Sequence, residues 1–432
     1  MAERTTGTHR RKKSVSKKAC ALLWDESFAW GLMARQALTE AGLPFDLLRS
    51  EDIRGGALSR YRMLYVPGGW ASQKLIALED CGQEEIRRFV DEGGSYLGIC
   101  GGAGMATEDG MGLLPVRRKP TTERVPSVSG PMRLSLAGHS IWQGIDTPIF
   151  FAWWPSQFRV AHQRVSVLAS YEEVLPDAFS SDIPMADGRV TGWPALEARY
   201  GILLDPARLH GEPAVLEGQF GRGNVFLSLI HFDTPGDRNG AVVLRTLWDY
   251  LASGWSSESP ARKVRPRRRP LPDSAEFRDI IDGIKSAVAD LISTGSRHFL
   301  WYWRSPLLLQ WRRGVRGLEY GTLAVMTEEI LKYLSGIDGG QTRAASLDFL
   351  RAREAISEIR DQLLPFVEKA KHLLIRERFY LNTAPLSPLE CADPEINRLR
   401  LELFGSAMSH GGDFKRLIDT VDRLLFDLIR NE

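Results

Sequence analysis

Tyr96-Leu97-Gly98-Ile99-Cys100-Gly101-Gly102-Ala103-Gly104 is the stretch on which the reading of this chain turns. A short apolar run, suited to a buried strand, ends on a cysteine with glycines two residues before and two residues after it. Small residues suited to opening a helix follow. This is the pattern of a nucleophile elbow with sulfur in place of a serine hydroxyl, a strand-to-helix turn so sharp that neighbouring side chains must be nearly absent. Such a turn lifts the thiol above the sheet edge and aims the first N–H groups of the new helix at it. The expectation is a reactive cysteine. The same stretch also fits a plain strand–helix junction in which cysteine packs as a small hydrophobe.

Working outward, Ala19–Trp24 reads as a first strand, Phe28 to Ala41 as a helix ending at Gly42, and Phe45–Leu48 as a second strand. Tyr61–Val66 is a third strand, stopped by Pro67-Gly68-Gly69. A helix from Glu84 to Asp91, closed by Gly93-Gly94, leads into the strand before Cys100. This alternation predicts a parallel, doubly wound, flavodoxin-like α/β sheet. Ligands of such sheets sit at the carboxyl ends of the strands, where Gly68, Gly69 and Cys100 fall. From about Pro131 the pattern turns β-rich, with strands at Met132–Leu136, Val165–Ala169, Pro213–Phe220 and Asn224–Ile230. The last two flank a hairpin turn at Gly221-Arg222-Gly223, and a helix over Ala241 to Leu251 closes the unit.

Ser253 to Asp273, rich in serine, proline and arginine, reads as a linker. Beyond it, Phe277, Ile280, Ile281, Ile284, Val288 and Leu291 keep helical spacing, as do Phe414, Leu417, Ile418, Val421, Leu424, Leu425 and Leu428. The expected organisation is a basic tail over 1–18, an α/β domain over 19–252, a linker over 253–273 and an all-helical domain over 274–432.

The 432 residues carry a formal net charge of +2, so no whole-chain field points to nucleic acid. Basic residues cluster in the tail (Arg10, Arg11, Lys12, Lys13, Lys17, Lys18) and around Arg262–Arg269. Both read as solvated segments, with RNA, DNA or an anionic membrane surface as a secondary possibility. Four scattered cysteines form no CxxC pair, which argues against a disulfide framework or structural zinc site and suggests a reduced, cytoplasmic setting. The apolar run after Arg10-Arg11 is cut short by Asp25 and Glu26, too soon for an export signal. No run has the length of a membrane span, no cofactor or metal is expected, and there is no phosphate-binding GxxxxGK[ST] loop.

A thiol that attacks a carbonyl needs a base held by a third group, and donors for the oxyanion. Of the eight histidines, His231 has the most suggestive setting: it follows a predicted strand, and Asp233 lies two residues on. Backbone N–H groups of the Gly101-Gly102 and Gly68-Gly69 turns are the candidate oxyanion donors, because glycine allows close approach there.

Residues 19 to 252 resemble the class I glutamine amidotransferase-like superfamily, in particular the domain at the N-terminus of eukaryotic biotin–protein ligases. The matching pieces are Val66-Pro67-Gly68-Gly69, Leu97-Gly98-Ile99-Cys100-Gly101-Gly102, Gly138-His139-Ser140-Ile141-Trp142-Gln143-Gly144-Ile145, and Pro213-Ala214-Val215-Leu216-Glu217 through Gly221-Arg222-Gly223-Asn224-Val225 to His231. The resemblance implies a Cys100–His231–acid triad and thioester chemistry on a carboxamide or related acyl group of a small molecule. It departs at His231-Phe232-Asp233, where amidotransferases of this class usually carry His-Pro-Glu. Glu26 is a weaker alternative acid for Cys100. Biotin ligation itself is not supported, because the ligase domain is not recognisable. The resulting expectation is a cysteine hydrolase or amidotransferase-like protein. Its alternative is a non-catalytic binding or scaffold protein of the same fold whose helical half docks a partner. The aromatic segment Phe299–Arg313 reads either as a partner or membrane-interface surface or as cover for the joint between the halves.

Overall fold

The structure, a computed structural model, describes residues 17–252, 275–335, 349–384, 387, 391–406 and 410–430. The linker expected over 253–273 lies outside them, as does the basic tail except for Lys17 and Lys18. The first half runs β1 (Lys18–Leu23), α1 (Phe28–Glu40), β2 (Asp46–Leu48), α2 (Ser50–Arg54), β3 (Tyr61–Val66), α3 (Ala71–Asp91), β4 (Ser95–Ile99) and α4 (Gly101–Met105). β1, β3 and β4 are buried almost throughout, as strands covered on both faces must be. Helix α3 begins thirteen residues earlier than the predicted Glu84. It is two helical runs merged across a kink at Glu79 (φ 56°), so its apolar spacing is broken where the sequence reading lost it.

The β-rich stretch supplies β5 (Val116–Arg118), β6 (Val128–Leu136), β7 (Ile149–Trp153), β8 (Phe158–Val160), β9 (Ser166–Val174), β10 (Phe179–Ser180) and β11 (Ile183–Pro184). The short helices α5 (Met185–Thr191) and α6 (Trp193–Tyr200) lead to β12 (Pro213–Phe220), β13 (Gly223–Ser228) and α7 (Arg238–Leu251). One eleven-stranded sheet results, in the order β11-β10-β6-β9-β12-β13-β4-β3-β1-β2, with β7 paired to β6. Its β13-β4-β3-β1-β2 portion is parallel, and the rest is antiparallel.

Register explains what this sheet presents at its edge. Val66 pairs with Gly98, and Ile99 with Ser228. The chain segments leaving β3, β4 and β13 therefore emerge side by side, carrying Gly68-Gly69, Cys100 and His231.

The remainder forms α8 (Ala275–Arg297), β14 (Trp301–Ser305), β15 (Leu308–Trp311), α9 (Gly317–Ser335), α10 (Phe349–Tyr380), α11 (Pro394–Phe404) and α12 (Gly412–Ile429). This region is helical, as expected, except for the β14–β15 hairpin. The aromatic run there favours a strand, and Pro306 sits in the turn, where its missing N–H costs no ladder bond.

The helical region lies across the carboxyl edge of the parallel strands. Trp24, at the end of β1, donates its indole N–H to Asp422 on α12 at 2.8 Å. Arg49, after β2, bridges Asp25 (2.7 Å) and Asp422 (3.3 Å). Lys415 pairs with Glu26 at 3.1 Å. The hairpin closes another side: Trp311 packs on Trp154 with ring centroids 4.7 Å apart, and Leu308 joins Trp30, Met33 and Trp153 in one buried cluster. Part of segment 299–313 thus covers the joint between the halves, while Phe299, Tyr302 and Trp303 remain exposed. Among the described residues, no helix is long and apolar enough to cross a membrane, and no His/Cys/Asp/Glu group is placed to hold a metal ion.

Candidate active site

Cys100 has φ 50° and ψ −104°, a conformation that non-glycine residues rarely adopt and that costs roughly 1–3 kcal/mol to hold. The surrounding backbone imposes it. The Cys100 N–H donates to the Ser228 carbonyl on neighbouring β13 at 2.7 Å, and its own carbonyl accepts from Gly104 N–H at 3.0 Å. The flanking glycines are needed for close approach rather than for unusual torsions, since neither Gly101 nor Gly102 has a positive φ. A Cβ on Gly101 would lie 1.9 Å from the Gly69 carbonyl oxygen, and one on Gly102 would lie 2.0 Å from that of Val66. The two glycine turns predicted from sequence are therefore in direct backbone contact. Cys100 is half-buried, with its sulfur 4.0 Å from the Trp153 carbonyl oxygen.

His231 and Asp233 are completely buried. Imidazole Nδ1 pairs with Asp233 Oδ1 at 3.0 Å, and the other carboxylate oxygen accepts from the Tyr65 hydroxyl at 2.8 Å. Trp30 lies against the imidazole with ring centroids 4.8 Å apart. On the far side Thr234 donates to the His231 carbonyl at 2.9 Å and accepts from the Trp153 indole at 3.0 Å. With Nδ1 committed to the carboxylate, Nε2 has no hydrogen-bond partner. The Cys100 sulfur is close enough to act on the charge of the ring. Contacts of this kind commonly tighten when substrate binds.

Burial opposes a charge on His231, but the charge and hydrogen bond of Asp233, helped by Cys100, outweigh it and push the imidazole up to about 9. A histidine raised on folding stabilises the fold fully below its unfolded value of 6.5, and that contribution is lost as pH rises through about 9. Lys74 runs the other way. Its ammonium bonds the Asp25 carbonyl and the Ser27 hydroxyl, and burial pulls it down to about 7 despite Glu26, Asp25, Asp422 and Cys100 nearby. The fold therefore gains from Lys74 as pH rises from about 7 toward 10.5. Comparison with His231→Gln separates the two. Between pH 6.5 and 9.5 the urea midpoint of the natural protein is expected to fall relative to that of the variant, and parallel curves would refute the assignment.

The structure thus brings Cys100, His231, Asp233, Gly68, Gly69, Gly101 and Gly102 to one place. A Cβ on Gly68 would sit 3.0 Å from the imidazole Cε1. Glu26 makes no hydrogen bond to Cys100; one of its oxygens is taken by Lys415. Tyr65, Trp30, Trp153 and Lys74 were not legible as site residues. They sit in ordinary apolar strand or helix positions, and no spacing marks them.

Residues 58–109 match the family model described as biotin-protein ligase, N terminal. The matched stretch runs through β3, α3, β4 and α4, and holds Gly68, Gly69, Cys100, Gly101 and Gly102. Over that stretch the chain is similar to the N-terminal domain of biotin–protein ligases, and no curated protein sequence matches it. Among solved structures, a candidate GMP synthase protein from Thermoplasma acidophilum is similar at 14% identity, covering 55% of this chain and 95% of its own (TM-score 0.36). A candidate ThuA-like protein from Bacteroides uniformis is 11% identical, covering 58% and 98% (TM-score 0.37). A cytoplasmic protein from Salmonella typhimurium is 13% identical, covering 54% and 99% (TM-score 0.33). Scores this low carry no argument of their own; the mixed α/β sheet with a parallel core rests on the strand order above.

Proposed function

We propose that this protein is a cysteine-nucleophile hydrolase or amidotransferase-like enzyme acting on an amide or related acyl group, within a reduced, cytoplasmic setting. The observation that supports it most is the free Nε2 of a buried, Asp233-anchored histidine facing a half-exposed cysteine held at positive φ. In this reading His231, raised to about 9, already carries the proton, and the Cys100 sulfur attacks as thiolate, bonding to the carbonyl carbon as the carbonyl π electrons move onto oxygen. Backbone N–H groups of the two glycine turns receive that oxygen. Collapse breaks the carbon–nitrogen bond, and the departing amine or ammonia takes the proton from His231. Water then attacks the thioester, giving a proton to the now neutral His231, and the carbon–sulfur bond breaks to release the acid and restore the thiolate. Residues 19–252 act as the catalytic domain, and the β14–β15 hairpin walls one side of the site through Leu308 and Trp311.

The test is competitive alkylation of the full chain by iodoacetamide, followed by peptide mapping. Cys100 is expected to react ahead of Cys81, although Cys81 is the more exposed. Faster modification of Cys81 would remove the case for an activated thiol and favour the non-catalytic binding reading of the same fold.

A further inference from the structure

Two guanidinium groups stand beside α4 and the Cys100 turn without a carboxylate to answer them. Arg118 ends β5, and Arg124 lies in the connection to β6. Gly104 is on α4, and its N–H donates to the Cys100 carbonyl at 3.0 Å. Arg118 lies against α4 at that position, since a Cβ on Gly104 would sit 3.2 Å from its Nη1 and 3.5 Å from its Cδ. Arg124 donates from Nη1 to the Pro155 carbonyl at 3.3 Å, two residues beyond Trp153, whose carbonyl is 4.0 Å from the sulfur.

The cations flanking them in sequence and across the β5–β8 ladder are paired: Arg117 with Glu108, Lys119 with Glu212, and Arg159 with Glu123. Among the described residues neither Arg118 nor Arg124 has an ion pair, and Asp109 takes only the Arg118 backbone N–H, at 3.5 Å. Burial and the charge of Arg118 both depress Arg124, and Cys100 is what counteracts them. Two guanidinium groups that repel each other, one of them half-buried, form an arrangement that an added anion relieves. The planar donor fork of arginine suits a carboxylate or a phosphoryl group.

We propose that Arg118 and Arg124 form an anion-binding subsite for the substrate of Cys100, so that the acyl or amide compound carries a carboxylate or phosphoryl group near the bond attacked. This rests on the reading of Cys100 as a nucleophile. The full chain is alkylated with iodoacetate, which is anionic, and with iodoacetamide, which is neutral, and the ratio of their rates at Cys100 is measured. Arg118→Gln, at an exposed position, is expected to lower that ratio about tenfold, and Arg124→Gln to lower it likewise. High salt is expected to shrink the difference. Inorganic phosphate and acetate are expected to slow iodoacetate in the natural protein, the stronger competitor identifying the anion class. An unchanged ratio in both variants, with unaltered circular dichroism, would overturn the subsite while leaving the nucleophile intact. If neither reagent prefers Cys100 over Cys81, the nucleophile reading fails, and the subsite with it.

Discussion

Gly102→Ala is expected to leave little or no soluble folded protein. Its Cβ would lie 2.0 Å from the Val66 carbonyl oxygen and 2.9 Å from Val66 Cγ1. The obstructing atoms belong mainly to the backbone of β3, which is held on both sides by β1 and β4. Relief therefore requires moving a strand in the middle of the parallel sheet or withdrawing α4 from it. Packing this dense does not yield by small adjustments. The cost is about 4 kcal/mol or more, at the exceptional end for single substitutions. A domain of ordinary stability has only roughly 5–15 kcal/mol in hand. Gly138→Ala is the control, because a Cβ there meets nothing within 4 Å. Soluble yield and thermal unfolding measure both. A Gly102→Ala protein melting within a few degrees of the control would show that the elbow is not packed as described.

His231→Ala is expected to slow alkylation of Cys100 by about a hundredfold or more, the usual scale for loss of a positioned acid–base group. The same substitution strands Asp233, which is fully buried and would keep only the Tyr65 hydroxyl as a partner. Breaking a buried ion pair by removing one member costs roughly 3–5 kcal/mol, so a loss of reactivity in this variant alone could reflect a damaged fold. His231→Ala combined with Asp233→Asn removes the orphaned charge. It should recover part of the stability while remaining as unreactive as the single variant. Full reactivity in the double variant would place the imidazole outside the chemistry. Tyr65→Phe offers a graded contrast, since it removes only the hydrogen bond behind the carboxylate.

How far the site could be read in advance depended on how local each cause was. The elbow was legible because its requirement is written within nine residues: an apolar strand, a cysteine, and glycines where two backbones touch. His231 and Asp233 were legible because a strand end and a carboxylate two positions away are also local signals. The break in α3 hid its first half, since a kink at Glu79 resets the apolar spacing on which a helix is recognised. The aromatic hairpin could not be separated from a helical segment by composition. Its strands are short, and part of what they bury against lies in the other half of the chain.

By itself, the amino-acid order determined the alternation of strands and helices and the cysteine turn, and it marked His231 as a candidate beside a strand end. These follow from apolar periodicity, glycine's small size and short-range spacing. Only the tertiary structure decided that β3, β4 and β13 lie side by side, bringing Gly68, Cys100 and His231 together. It alone backed Asp233 with Tyr65 and the histidine with Trp30, set Arg118 against α4 and Arg124 near the thiol, and laid α12 and the hairpin across the strand ends. Such contacts join residues tens to hundreds of positions apart. Pairing of that range depends on sheet register and on which faces remain to be buried, and neither is encoded in the spacing of neighbouring residues.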